Sequence, residues 1–418
     1  MNAANHQTEL LIIGGGVIGV CAAYYLTEQG RSVTLVEKSD ICAGSSYGNA
    51  GLVLTEHAIP LAAPGVISQG LRWLLDSDSP FYIKPRFDLD LLRWLWQFWK
   101  ASNEKAMHRV IPVLLALRQA SLELFEQLNA GDMSFNYKQN GRLFLFRDQA
   151  NFEASLKEDH VLKEFGVTAQ ALDGDAARRM EPNAHPAIIG GIYYASYGHL
   201  APDLFVRALA RVAESRGAVL QTGTEVLGFE TRGERIATVI TTRGDFQPEQ
   251  VVLAAGAWSP SLARSLGLRL PIQAAKGYSI TVKSPPAAPI RPLFLAEGRV
   301  AVTPMGERLR FSSTLELAGL DMSVNRRRVA ATRRAAGEYL NGMTDLELIE
   351  IWRGLRPSTP DSLPIIGRSP SLQNLILATG HGMLGVAHGP ITGKLVSQLV
   401  AGESPTLDLT PFRVERFI

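Results

Sequence analysis

The sequence predicts an α/β protein in which a dinucleotide-binding domain is interrupted by an inserted α+β lobe. Three observations predict it. Near the N-terminus an apolar run breaks at Gly14, Gly15 and Gly16 and resumes as a helix. Strand and helix patterns of the same kind return after residue 375. Between them lie a helix-rich stretch from about 60 to 190 and a strand-rich stretch from 218 onward. At 418 residues the chain is longer than one ordinary core fills, so two lobes are expected. Residues 1–60, 195–262 and 357–418 are assigned to the dinucleotide-binding domain. Residues 61–194 and 263–356 are assigned to the substrate lobe, with a tryptophan-rich helical segment at 70–110.

Composition narrows the function class. The chain is 46% hydrophobic and 20% charged, a globular balance that excludes a disordered protein. Lys plus Arg total 42 against 40 acids, the net charge is +2, and no long block of one sign appears, so no nucleic-acid partner is expected. Two cysteines, Cys21 and Cys42, cannot build a disulfide framework and point to a reducing, cytoplasmic compartment. The His and Cys spacings match no ligand pattern, so no metal is expected. Residues 10–27 carry no charge over 18 positions, the length of a membrane span. Four glycines inside that run, and a start at residues 1–8 without Lys or Arg, read instead as strand, turn and helix.

The first element is a strand at 9–13, the second a helix at 17–30, the third a strand at 32–37. The turn between the first two carries Gly14-x-Gly16-x-x-Gly19. Gly14 serves the tight turn, Gly16 lets backbone approach a pyrophosphate, and Gly19 allows close helix–strand packing. Val17 and Ile18 open the helix, whose free N–H groups and positive dipole end suit phosphate. The bare pattern is weak, since Gly380-x-Gly382-x-x-Gly385 matches it too. Context strengthens the first match: Glu37 ends the next strand about 20 residues on, where a carboxylate accepts ribose hydroxyls, with Lys38 beside it. Glu37 also disfavours a 2′-phosphate. This is a Rossmann-type βαβ unit, and by itself it does not separate NAD from FAD.

A Gly/Ser-rich loop follows at 43–51. A long helix is expected from about 104 to 131, then strands at 225–231, 236–241 and 251–255. Pro285, Pro286, Pro289 and Pro292 mark a loop. Strands at 300–303 and 309–312, a helix at 326–340, a strand at 375–379 and a helix at 386–400 complete the chain.

Five blocks in order carry a family resemblance. They are Ser46-x-x-Asn49-Ala50-Gly51, the run Ala62-Ala63-Pro64-Gly65, and Lys276-Gly277-Tyr278-Ser279. The last two are Trp352-Arg353-Gly354-Leu355-Arg356-Pro357-x-Thr359-Pro360-Asp361 and Ala378-Thr379-Gly380-His381-Gly382-x-Leu384-Gly385. With the apolar strand ending in Ala255, Gly256 and Trp258, they resemble the amino-acid-oxidising flavoproteins of the D-amino acid oxidase and glycine oxidase type, most closely the D-amino acid dehydrogenase small-subunit family. The resemblance covers nearly the whole chain. It implies a Rossmann-type FAD-binding domain with an inserted α+β substrate domain, non-covalent FAD, and removal of hydride from the α-carbon of a small amino acid. The imino acid formed is then hydrolysed by water.

The resemblance also implies roles. Ser45, Ser46, Asn49, Ala50 and Gly51 would wrap the pyrophosphate and flavin, Val226 would line the dinucleotide site, and Gly382, Met383, Leu384 and Gly385 would face the flavin's carbonyl edge. Arg356 matches the carboxylate-binding arginine, because a planar guanidinium gives a carboxylate two parallel hydrogen bonds; Arg353 is the alternative. Tyr278 is a candidate for orienting the carboxylate, His381 for contacting flavin or substrate, and His57 for the substrate pocket. No general base stands out.

Residues 89–100, set on a helix, place Asp90, Arg93, Gln97 and Lys100 in one polar arc, with Leu89, Leu91, Leu92, Trp94, Leu95, Trp96, Phe98 and Trp99 filling the rest. That face suits either a membrane interface or a buried lobe helix. The family's delivery of electrons to membrane quinones favours a quinone or electron-transfer partner and peripheral contact with the cytoplasmic face of the inner membrane. The alternatives are an oxygen-using glycine, sarcosine or imino-acid oxidase, a hydroxy-D-proline dehydrogenase, and a non-catalytic flavoprotein subunit.

Overall fold

The computed structural model describes residues 5–53, 58–74, 79, 81–131, 133–343 and 345–417. Two large sheets organise them. The first is built on the parallel strands Val219–Gln221, Val33–Val36, Asn5–Ile13 and Asp245–Leu253, in that spatial order. Leu375–Thr379 joins the last of these in parallel, and the antiparallel strands Arg235–Thr241 and Val226–Arg232 extend the sheet. The central strands are buried on both faces, which is why they read as unbroken apolar runs such as Leu10–Leu11–Ile12–Ile13. Helices Val17–Glu28, Pro202–Ser215 and Gly385–Ala401 cover one face. The first and last of these cross closely at Gly393, where an added Cβ would lie 2.6 Å from the Cys21 carbonyl oxygen. Cys21 and Cys42 are both buried free thiols.

The second sheet runs from the edge strand Leu348–Ser358 through Gln273–Lys283, Arg308–Leu317, Val300–Met305, Leu293–Leu295, Arg142–Phe146 and Gly190–Tyr194 to Gln170–Asp173. Its alternation gives each face a task. Tyr278, Ile280, Phe311, Val302, Leu293 and Leu143 pack beneath helix Arg326–Tyr339. Gly277, Ser312, Ala301, Phe294 and Phe144 face a large cavity. The strands at 142–146 and 170–173 lie in the stretch expected to be helix-rich, and 190–194 follows it; fully buried Arg142–Phe146 has too few residues for a period to show.

The long helix Glu104–Asn129 matches its expected span, and Ser121 Oγ donates to the Ala387 carbonyl of the C-terminal helix. Helix Leu89–Ala101 divides its apolar side. Leu91 and Trp94 are buried against Ala275 and Leu317, and Trp94 Nε1 donates to Ser358 O at 2.9 Å. Leu89, Leu92, Trp96 and Trp99 stay exposed. The buried-helix reading holds for Leu91 and Trp94 alone. Among the described residues, no helix is long and apolar enough to cross a membrane.

Candidate active site

A cavity of about 1840 Å³ runs between the two sheets, roughly double an ordinary ligand pocket. One end is the glycine turn. Gly14 has φ +115°, and a Cβ there would meet Ala254 O at 2.6 Å, so no larger residue fits. A Cβ on Gly19 would collide with Gly14 O, which sets the first helix tightly on the strand. Gly19 therefore packs rather than lining the cavity, whereas Gly14, Gly16, Val17 and Ile18 do line it. Ser46 Oγ accepts the Val17 N–H at 2.9 Å. The Glu37 carboxylate takes the N–H groups of Gly15 at 2.7 Å and Ser39 at 2.9 Å. Lys38 Nζ stands 3.6 Å from the Trp258 ring, and Val226, Ala255 and Gly256 complete this wall.

The middle of the cavity is bounded by two loops. Ser45, Ser46, Gly48, Asn49 and Ala50 line one side, and Gly382, Met383, Leu384 and Gly385 the other. Asn49 joins them, with Nδ2 donating to Met383 O at 3.0 Å. Ser45 Oγ donates to the Leu355 carbonyl. Gly51, at φ +66°, turns away; a Cβ there would strike Leu200 O. Helix Gly385–Ala401 begins at the second loop with no side-chain cap and no acid in its first turn, leaving its N-terminal dipole directed at the cavity. Glycine turn, ribose-side carboxylate and two N–H-rich loops fit a flavin dinucleotide, and Gly14–Ile18 would hold its pyrophosphate and Glu37 its ribose.

At the far wall stands Arg356. Its Nη1 donates to Thr314 O at 2.6 Å, and burial lowers its pKa from 12.5 to about 10. No carboxylate lies within ion-pair distance among the described residues, so a part-buried cation faces the cavity without a counter-ion. That arrangement is costly unless a ligand carboxylate completes it.

Tyr278, Arg353 and His381 also line the cavity, and each has a polar partner of its own. Tyr278 is the neighbour of Gly277 on its strand, so its side chain takes the opposite face from Arg356. Its hydroxyl accepts the Asn325 N–H at 3.1 Å within the core under the sheet, and burial raises its pKa to about 12. Arg353 points the same way, to Met322 O at 2.7 Å. The His381 ring is turned inward, with Nε2 3.0 Å from Thr392 Oγ1, and burial lowers its pKa to about 3. It supplies loop shape rather than a titrating group. His57 lies outside the described residues. No group of three or more metal-binding side chains occurs among the described residues.

Sequence reasoning missed Gly277, Thr314 and Trp352. A Cβ on Gly277 would lie 2.3 Å from the Arg356 guanidinium, and Cβ atoms on Gly48 and Gly354 would overlap the Trp352 ring. The glycines in the Lys276–Ser279 and Trp352–Arg356 blocks were the available signal. Thr314, at φ +66°, carried none; its strained turn at the bulge opposite Gly277 aims its carbonyl at Arg356.

With fold and site in view, the class is defined: the FAD dependent oxidoreductase family matches residues 9–399, and the chain belongs to it. Its cofactor is FAD, which supplies a two-electron acceptor when bound. More particularly, the chain is 32% identical to a D-amino acid dehydrogenase of Granulibacter bethesdensis, over 98% of this chain and 99% of that protein. It is 33% identical to a D-amino acid dehydrogenase of Cereibacter sphaeroides, covering 98% and 95%. Among solved structures, glycine oxidase from Geobacillus kaustophilus superposes with a TM-score of 0.80 at 25% identity, covering 99% of this chain and all of that one.

Proposed function

We propose that the protein is a dehydrogenase oxidising the Cα–N bond of a D-amino acid, giving a 2-oxo acid and ammonia after hydrolysis of the imino acid. One observation carries the reading: Arg356 is a part-buried guanidinium, free of any acidic partner among the described residues, on the wall of the cavity that holds the FAD-binding loops. A bidentate carboxylate there fixes the substrate's orientation at the flavin. The D configuration rests on the names of the relatives. Among the described residues no side chain near Arg356 serves as a general base, so the site favours the neutral amine by desolvation. Anaerobic mixing with D- and L-amino acids, following flavin bleaching, tests this. D-substrates bleach the flavin and L-forms do not; bleaching by neither overturns the reading. Acid precipitation should release the FAD into the supernatant.

The acceptor reading is a membrane quinone reached at the cytoplasmic face of the inner membrane. Phe87, Leu89, Leu92, Trp96 and Trp99 form an exposed apolar surface, and Trp99 also lines the cavity. A bilayer against that surface would lie at a wall of the flavin's own cavity.

A further inference from the structure

We propose that Arg310 is a positioning residue for the flavin: it turns two backbone N–H groups, those of Gly48 and Ala50, into the cavity as fixed donors for the isoalloxazine ring. Arg310 lies on strand Arg308–Leu317 and is wholly buried, well away from the substrate clamp. Its Nη1 donates to Tyr47 O at 2.6 Å and to Asn49 O at 3.0 Å. Those carbonyls belong to the peptide units whose nitrogens are Gly48 N and Ala50 N. In a trans peptide the carbonyl and the N–H point in opposite directions. Drawing both carbonyls toward the sheet therefore turns both N–H groups toward the other side.

That side is the cavity, which Gly48 and Ala50 both line. Neither N–H meets an acceptor among the described residues. Gly48 is buried, and an unpaired buried N–H is an uncommon and costly feature unless a ligand completes it. The intervening Asn49 N–H is already used, donating to Ser46 O at 3.3 Å. The free pair is thus selective, residues 48 and 50 but not 49.

The guanidinium is itself held. Nε donates to Thr281 Oγ1 at 3.1 Å, and Nη2 lies 3.6 Å from Glu350 Oε1. Glu350 also accepts from Thr281 Oγ1 at 3.3 Å and from Tyr47 Oη at 3.2 Å. Sheet and loop are therefore joined by one buried fork. Lysine carries its donors on one nitrogen and cannot hold the two loop carbonyls from one atom while a second nitrogen holds Thr281, as the planar guanidinium does. Reduction places negative charge on the flavin ring, so fixed donors stabilise the reduced form more than the oxidised form.

The inference rests on FAD binding and not on the choice of amino acid, so its test omits substrate. FAD-loaded wild type, Arg310→Lys and Arg310→Gln are compared by visible spectrum, FAD dissociation constant and midpoint potential. The potential should fall in the order wild type, Lys, Gln, with shifted flavin bands and FAD affinity weakened about tenfold for each lost donor. Glu350→Gln, which leaves both carbonyl contacts in place, should lower Tm but hold potential and spectrum near wild type. Arg310 variants with wild-type potential and spectrum and only a lower Tm would overturn the proposal, as would an equal shift in Glu350→Gln. If Arg310→Gln does not fold, Arg310→Lys decides on the same readings. Flavin bleaching by amino acids is scored separately and tests the substrate reading alone.

Discussion

The Arg356 guanidinium occupies the space that a side chain on Gly277 would fill: an added Cβ would lie 2.3 Å from Cζ and from both terminal nitrogens. The proposed clamp is thus a pair, a long cation on one strand and a vacancy on its neighbour, set side by side by the pairing of Gln273–Lys283 with Leu348–Ser358.

Gly277→Ala should consequently behave as a substrate-site variant. The methyl group must displace the guanidinium, and a misplacement of about 1 Å costs on the order of 100-fold in rate. kcat/KM should fall by that order while FAD content stays at wild type. Unchanged kinetics would show that the guanidinium has room to move, and the close approach would carry no function.

Arg356→Lys tests the same contact from the other side. A point charge replaces a fork, and loss of one charged hydrogen bond costs about 1.5–3 kcal/mol, or about 10- to 150-fold. The loss should fall on KM and kcat/KM, with FAD retained. Wild-type kinetics in this variant would remove Arg356 from the substrate site.

What sequence made legible divides by the range of the interactions involved. The βαβ unit was readable because Gly14, Gly16 and Gly19 act within one turn, and Leu375–Thr379 because a fully buried strand reads as an apolar run, here Leu375–Ala378. The partner of the Tyr278 hydroxyl was not readable because its facing depends on strand alternation about Gly277, a property of the paired sheet and not of the Lys276–Ser279 block. Arg310 was invisible for the same reason: its partners, Tyr47 and Asn49, are over 260 positions away and offer backbone carbonyls, which leave no residue-type signature. In helix Leu89–Ala101 the apolar arc was correct, but only packing shows that Trp94 goes inward and Trp96 outward.

Three buried histidines give the protein an acid limit. Burial lowers His381 to about 3 and His199 to about 4, and His388 lies well below 6.5 through burial and then the nearby Arg118 charge. Unfolded histidines protonate near 6.5 while the folded ones stay neutral, so unfolding takes up protons below that pH and stability falls as pH falls from about 6.5 toward 3–4. Each such histidine contributes a slope of about 1.4 kcal/mol per pH unit. His381→Gln should make the loss of stability between pH 6.5 and 5 shallower by about that amount, as measured by chemical denaturation. It should leave the pH profile of kcat/KM unchanged in shape, since His381 does not titrate there. A profile that loses a limb in His381→Gln would return the residue to the chemistry.

The membrane reading has become sharper than the helix pattern alone allowed, because the structure separates tryptophans that hold the fold from those that do not. Trp94 is 3% exposed and hydrogen-bonded to Ser358, whereas Trp96 is 54% and Trp99 60% exposed. Lys100 Nζ sits 3.6 Å from the Trp96 ring centre, which puts a cation beside an apolar ring, the pairing that suits anionic headgroups over acyl chains. Arg86 is not available for lipid, being bonded to Asp88, Leu317 O and Gln273. The expected result is that wild type co-sediments with vesicles containing anionic phospholipid, more weakly as salt rises, because the attraction of headgroups to Lys100 is screened. Trp96→Ser with Trp99→Ser should abolish co-sedimentation while shifting stability by no more than about 0.5 kcal/mol per exposed site, with FAD content intact. Trp94→Ser is the contrast: a buried aromatic lost from the core costs about 3–5 kcal/mol. If the double variant still sediments with vesicles, the exposed face is not the docking surface. If it loses as much stability as Trp94→Ser, the outer tryptophans belong to the core after all.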